Sequence, residues 1–244
     1  MSGNAVQEYL TTQGLNLPAD EVEMAVLAVQ TVLQMAQAEI DTSVIWYEEN
    51  NFNLATKLGV NIQDIYLSQN QDIPKSENNI VHTLLQLYLA IDSWCSRHHD
   101  LCASLFLFEN TTTNKCLVRL VSQGATLPAY LSCDQQHQQQ YLFVRSAITG
   151  WLSQIDDIDE WLKDGSLNGK QIGVSQLSVP ITDLQGQVLG VLFVSHTHKN
   201  AFAKSELIDW IAMAVALVPL MINIQTAMLA GQTKGNNNDK NTIH

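Results

Sequence analysis

Ser175-Gln-Leu-Ser-Val-Pro-Ile-Thr-Asp-Leu-Gln-Gly-Gln-Val-Leu-Gly-Val-Leu-Phe-Val194 decides how this chain folds. Two short apolar runs rich in β-branched residues, 175–181 and 187–194, flank Asp183-Leu-Gln-Gly186. The glycine supplies the positive φ of a tight turn, so the stretch predicts an antiparallel hairpin. After it, residues 204–229 predict a helix that is apolar nearly all round between Trp210 and Ile222. Such a helix must be covered by its own sheet and by a second surface. Pro219 lies within it and predicts a kink.

Working upstream, Ile80, Leu84, Leu87, Ile91 and Trp94, with Val81, Leu85 and Tyr88, predict an amphipathic helix with a broad buried face. Residues 103–108 and 115–121 then read as two strands around a polar turn, 110–114, which is a further hairpin. The Gln-rich segment 128–141 reads as turn-like or weakly helical, and 144–154 as holding a short helix. Before all of this, Asn16-Leu-Pro-Ala-Asp-Glu opens a helix whose apolar positions, Val22 to Ile40, recur at three and four. The polar segment 68–79, with Pro74, reads as a linker.

The composition bounds the function. Among 244 residues, 46% are hydrophobic and only 15% charged, enough apolar surface for a core and against disorder over most of the length. A net charge of −12, concentrated in the amino-terminal third, disfavours phosphate backbones and anionic lipid surfaces. The first residues carry neither a basic nor an apolar leader segment. The uninterrupted apolar run 210–222 is shorter than the ~20 residues that span a bilayer. A cytoplasmic protein with no membrane partner is expected. Its four cysteines, Cys95, Cys102, Cys116 and Cys133, are then expected as plain thiols rather than a disulfide framework. Residues 231–244 are too polar to pack and are expected to be disordered.

Taken together, the second hairpin, the following Ala-Phe-Ala-Lys-Ser-Glu-Leu207 and the long apolar helix resemble the carboxy-terminal half of a GAF domain. Ala147-Ile-Thr-Gly-Trp-Leu152 resembles that family's Gly-containing short helix, and Asp156-Asp157 falls where members carry Pro-Asp. The resemblance covers residues 78–229. It implies an α+β fold, with an antiparallel sheet of five or six strands, the first and last helices together on one face, and a ligand pocket on the other. The helix, hairpin, irregular middle, hairpin, helix order read from the residues alone agrees. Three activities known in that family have residue signatures. Phe202 matches the cyclic-nucleotide pattern, but Ser195-His196 and Glu206-Leu207 replace its Asn-Lys and Asp-Glu pairs. No cysteine is followed by the histidine of a bilin-attachment site, and segments 147–152 and 174–181 lack the cysteines of the GAF-type methionine sulfoxide reductases.

Several side-chain groups suggest chemistry, each beside a plainer role. Cys95, His98, His99 and Cys102 are spaced three, four and seven apart. If the family's strand order holds, His196 emerges beside Cys102, a set able to hold zinc. The alternative is a helix end where histidine meets the negative dipole, with both cysteines in the core. The segment Leu54-Ala-Thr-Lys-Leu-Gly-Val-Asn-Ile-Gln-Asp-Ile-Tyr-Leu67 has helix-turn-helix spacing. Its second half has no Lys or Arg for phosphate, which favours a packing hairpin and makes nucleic acid an unexpected partner. Phe106, Phe108, Arg145, Trp151, Trp161, Asp164 and Gln176 are the candidates for a ligand pocket, with core packing as the alternative for the aromatic ones. No nucleophile-elbow, zinc-protease or phosphate-loop motif occurs, and Asp156, Asp157, Asp159 and Glu160 read as a solvated helix start.

The sequence therefore predicts an acidic helical extension (1–77), a GAF-like domain (78–230) and a tail (231–244). The expected function is a non-enzymatic sensory or regulatory module without cofactor, with a small-molecule ligand, a signalling-protein partner and a homodimeric state. Helix-face residues Ile211, Val215, Val218, Met221, Ile222 and Met228, joined by Val22, Val26, Val29 and Leu33 of the extension, are the expected dimer surface. The alternative is a protein-interaction scaffold that fills its own pocket.

Overall fold

The computed structural model describes residues 3–35, 48–49, 52–58, 75–97, 100–111, 114–124 and 127–238. Helices α1 (Gly3–Thr12) and α2 (Ala19–Met35) precede a small ribbon, β1 (Glu48–Glu49) with β2 (Phe52–Asn53), and helix α3 (Leu54–Leu58). Then follow α4 (Lys75–Cys95), β3 (Leu101–Asn110), β4 (Lys115–Gln123), β5 (Tyr130–Ser132), α5 (Gln135–Gln140) and α6 (Leu142–Thr149). The chain ends through β6 (Ser153–Ile155), α7 (Ile158–Lys163), β7 (Ser175–Thr182), β8 (Val188–His196) and α8 (Lys204–Asn238).

Residues 175–194 form the expected hairpin, with Ser178 opposite Phe193 and Ile181 opposite Gly190. Asp183 builds its turn: Oδ1 accepts from the amides of Gln185 at 2.9 Å and Gln187 at 2.8 Å, and Gly186 sits at φ 78°. The hairpin joins a six-stranded antiparallel sheet of order β5-β4-β3-β8-β7-β6. The first long strand pairs with the last, placing Leu101 opposite His196 and Cys102 opposite Ser195. Gly190 makes the centre compact. A Cβ there would stand 2.3 Å from the Phe106 carbonyl oxygen and 2.4 Å from Met221 Cε, so only glycine lets α8 lie this close to the sheet.

One face of the sheet carries helices α4 and α8, with Leu105, Leu107, Leu177, Val179, Leu192 and Val194 pointing into their shared core. The extension belongs to this same core. Val22, Val26, Val29 and Leu33 of α2 are buried against α8 and α4, and Val6, Tyr9 and Leu10 of α1, with Leu54, Ala55 and Leu58 of α3, continue the cluster. Each buried aliphatic side chain contributes roughly 1.5–3 kcal/mol, so the extension is integral to the layer. Two ion pairs tie it down, Lys57 to Glu109 at 2.8 Å and Lys204 to Glu21 at 3.6 Å.

Four expectations need correction. First, the covering surface of α8 is this chain's own α2. Val22, Val26, Val29, Leu33, Ile211, Val215, Met221 and Met228 are buried within one chain, and Val218 is partly buried; Ile222 is exposed. The apolar surplus assigned to a second copy is met internally. Second, helix α8 continues past Gly231 to Asn238, beyond the expected start of a disordered tail; residues 239–244 lie outside the described part. Third, the part of α8 from Lys204 to Leu229, 26 residues, is long and apolar enough to cross a membrane by length and composition, and 61% of its most apolar window is buried inside the fold. Counting only the uninterrupted apolar run missed this, because Asn223, Gln225 and Thr226 are polar without charge. Fourth, two short edge strands, β5 and β6, lie where the sequence reading had a turn and a helix. Three residues carry too little alternation to announce a strand.

Candidate functional site

The opposite face of the sheet is roofed by α5, α6 and the loop between α7 and β7. Its floor is aromatic. Phe106 stacks on Phe143 of α6, with centroids 4.6 Å apart and planes at 9°; Phe193 tilts against Phe143 at 5.0 Å, and Tyr141 at 5.2 Å. Phe108, Leu117, Leu131 and Cys133 complete this second core. Such pairs add about 0.5–1.5 kcal/mol beyond area burial.

The roof is set by local chemistry. Asp134 caps α5 through the amide of His137 at 2.9 Å and also meets the Ser132 hydroxyl. Gly150 ends α6 in the left-handed conformation at φ 73°. Asp157 caps α7 and pairs with Lys199 at 2.5 Å, fastening the exit of β8 to this side. Arg145 of α6 donates to the carbonyls of Gln138 and Ser166, and its guanidinium lies 5.9 Å from the Trp161 ring centre. Burial lowers its pKa. These bonds bind α5, α6 and the 164–174 loop to one another.

Between roof and floor lies a cavity of about 340 Å³, whose walls include Tyr141, Phe143, Ile172 and Phe193, with Gln176 and Lys170 among its polar groups. That volume falls within the range of small-molecule pockets. Gln176 is 2% exposed and its Oε1 has no hydrogen-bond partner among the described residues, whereas buried side-chain oxygens are normally satisfied. A larger hollow of about 420 Å³ lies on the helical side, between α1, the 183–186 turn and Pro219. Among its described lining residues no buried side-chain polar atom lacks a partner. The smaller cavity carries the buried, unsatisfied oxygen and is the better site.

The expected pocket residues separate. Gln176 lines the cavity; Phe106 and Phe108 form the core below it. Arg145, Trp161 and Asp164 brace the roof, Asp164 by accepting from the Ser166 amide at 2.8 Å. Trp151 is 56% exposed and does not line the cavity. The sequence reading missed Tyr141, Phe143, Lys170, Gln171, Ile172 and Phe193. For Phe193 the signal was present, since it alternates with the inward residues of β8; for the loop residues there was none.

The zinc candidates Cys95, Cys102 and His196 do not assemble a ligand set. Among the described residues no three His, Cys, Asp or Glu are placed to hold a metal, and His98 and His99 lie outside them. His196 Nδ1 instead accepts from the His198 amide at 3.1 Å. The four thiols are unpaired in disulfides, and burial raises their pKa values, to about 12 for Cys95 and Cys133 and about 11 for Cys116. In the helix-turn-helix candidate, Leu54, Ala55 and Leu58 are core residues, while residues 59–67 lie outside the described part.

No family model matches this chain, and no curated protein matches it. Solved structures do. The GAF domain region of a putative membrane protein from Geobacter sulfurreducens PCA superposes with a TM-score of 0.50 at 14% identity, over 63% of this chain and 99% of that one. A type II free methionine-R-sulfoxide reductase from Thermoplasma acidophilum follows at 0.49 and 14%, over 59% and 94%. The GAF domain of an Acinetobacter phosphoenolpyruvate-protein phosphotransferase gives 0.47 and 14%, over 73% and 97%. The fold is therefore α+β and GAF-like, with additional helices at the amino terminus.

Proposed function

We propose that this protein is a sensory or regulatory module that binds a small molecule in the cavity roofed by α5, α6 and the 164–174 loop, and performs no chemistry on it. The observation that carries this reading is the buried, unsatisfied Gln176 Oε1 in the wall of a 340 Å³ cavity. The scaffold alternative, a self-filled pocket, accounts for Phe106 and Phe143 but not for that space. Against thiol redox catalysis stand the raised thiol pKa values, since the thiolate is the reactive form. A ligand that orders the roof shifts the population of its open and closed forms, and α6, which packs on β7 and β8, links the roof to the sheet under α8. A homodimer would use the apolar side chains still exposed on α2 and α8, Met24, Leu27, Ile222 and Leu229. A cytoplasmic setting is part of the same reading.

The test is thermal-shift screening of the full chain against amino acids, nucleotides and other metabolites. A ligand raises the melting temperature with its concentration. Ile172→Trp, which fills the cavity, should abolish that rise while leaving the unliganded chain folded. A rise that persists in Ile172→Trp would place the site elsewhere.

A further inference from the structure

The hydrogen-bond pattern of the cavity is one-sided. Gln176 Nε2 donates to Gln171 Oε1 at 3.3 Å and to the Ile172 carbonyl at 3.1 Å. Gln171 Nε2 in turn donates to the carbonyls of Gln140 at 2.9 Å and Asn168 at 2.7 Å. Both amide nitrogens thus have both hydrogens engaged, and the acceptor Gln176 Oε1 is left over. The cavity wall therefore includes a residue with one acceptor that lacks a donor among the described residues.

Charge points to the other end of the ligand. Among the described residues that line the cavity, Lys170 is the one cation, it is exposed, and none is a carboxylate. In a chain of net charge −12 this is a local reversal of sign. The walls between mouth and floor are flat and apolar, from Pro128, Tyr141, Ile172 and Phe193.

Resting on the reading of this cavity as a ligand site, we infer that its ligand is a small aromatic or heteroaromatic carboxylate that also carries an N–H donor. The N–H meets Gln176 Oε1, the ring lies between Tyr141 and Phe193, and the carboxylate faces Lys170. A cavity of about 340 Å³ limits the molecule to the size of an amino acid or a nucleobase acid.

The experiment titrates the full chain with indole-3-acetate, indole-2-carboxylate, tryptophan and orotate. Each is measured beside a counterpart whose ring N–H is methylated or replaced by oxygen, and beside its neutral carboxamide. At least one N–H acid should bind, and its N-blocked counterpart about tenfold more weakly. Lys170→Ala should weaken the acid about tenfold and leave its carboxamide unchanged. Gln176→Met should erase the preference for N–H; should that variant misfold, Lys170→Ala at the exposed mouth still decides the charge. Equal binding of N–H and N-blocked forms, or binding confined to neutral or cationic probes, overturns the ligand class while leaving the site intact. No stabilisation by any of these probes, nor by any metabolite in the broader screen, overturns the class and the site together.

Discussion

Tyr9 donates its hydroxyl hydrogen bond to the carbonyl oxygen of Pro180, 2.8 Å away and 171 positions along the chain. Strand β6 pairs with β7 only from Gln176 to Ser178, so beyond that point β7 is a sheet edge. Proline suits such an edge, because it has no amide hydrogen to leave unpaired. Its carbonyl still needs a donor, and the first helix of the extension brings one. Tyr9→Phe keeps the ring and removes the donor. It should lower unfolding free energy by about 1–3 kcal/mol in urea denaturation. Unchanged stability would mean that the extension does not close this edge.

Gln13 works beside it. Its Nε2 donates to the Gly150 carbonyl at 2.8 Å, and its Oε1 accepts from the Leu152 amide at 2.7 Å, a bracket over the chain between α6 and β6. Gln13→Leu should cost roughly 2 kcal/mol, since two backbone groups lose partners. Amide exchange should quicken at Leu152 more than at Val179 in the sheet centre. Equal exchange at both would contradict the bracket.

Asp134 predicts an acid-side effect. The Ser132 hydroxyl and the His137 amide hold its carboxyl down at about 2, against an ordinary value of 3.8. A carboxylate depressed in the folded state contributes stability that is complete above the unfolded value and is lost as pH falls through the folded one. Stability should therefore decline between about pH 4 and 2 through this group, and Asp134→Asn should flatten that part of the profile. A profile identical in the variant would refute the assignment.

The thiols predict chemical silence. With Cys95 and Cys133 pushed up to about 12 and Cys116 to about 11, little thiolate exists near neutrality. Alkylation by iodoacetamide at pH 8 should be slow in the folded chain and fast in denaturant. Free methionine-R-sulfoxide should persist when incubated with the protein and a dithiol reductant. Turnover of that sulfoxide would contradict the non-enzymatic reading.

Long, repetitive patterns in the sequence were readable and short ones were not. Leu177, Val179 and Ile181 alternate over a full strand, and Ile80 to Trp94 repeat over about four turns, so the main hairpin and the helix showed themselves. Tyr130–Ser132 and Ser153–Ile155 exist as strands because β4 and β7 offer them an edge, which is a tertiary cause with no local trace. The same holds for Val22 and Val29: an apolar stripe announces that it will be covered, but its spacing does not say whether the cover is a partner or the same chain. In the pocket, Gln176 was within reach because it lies on a strand whose pattern is readable. Lys170 and Gln171 sit in a loop whose path depends on Gln139 and Gln140 accepting its hydrogen bonds, and a Gln-rich run hides that pairing.

Ligand sensing requires that the space above Phe143 and Phe193 be occupied in the working protein. Isothermal titration decides it, using the compound that most stabilises the full chain, with wild type and Ile172→Trp measured side by side. One site per chain in the wild type and no measurable heat of binding in the folded variant is the predicted result. Equal heats from both chains would mean that the ligand binds outside this cavity, and would contradict the account.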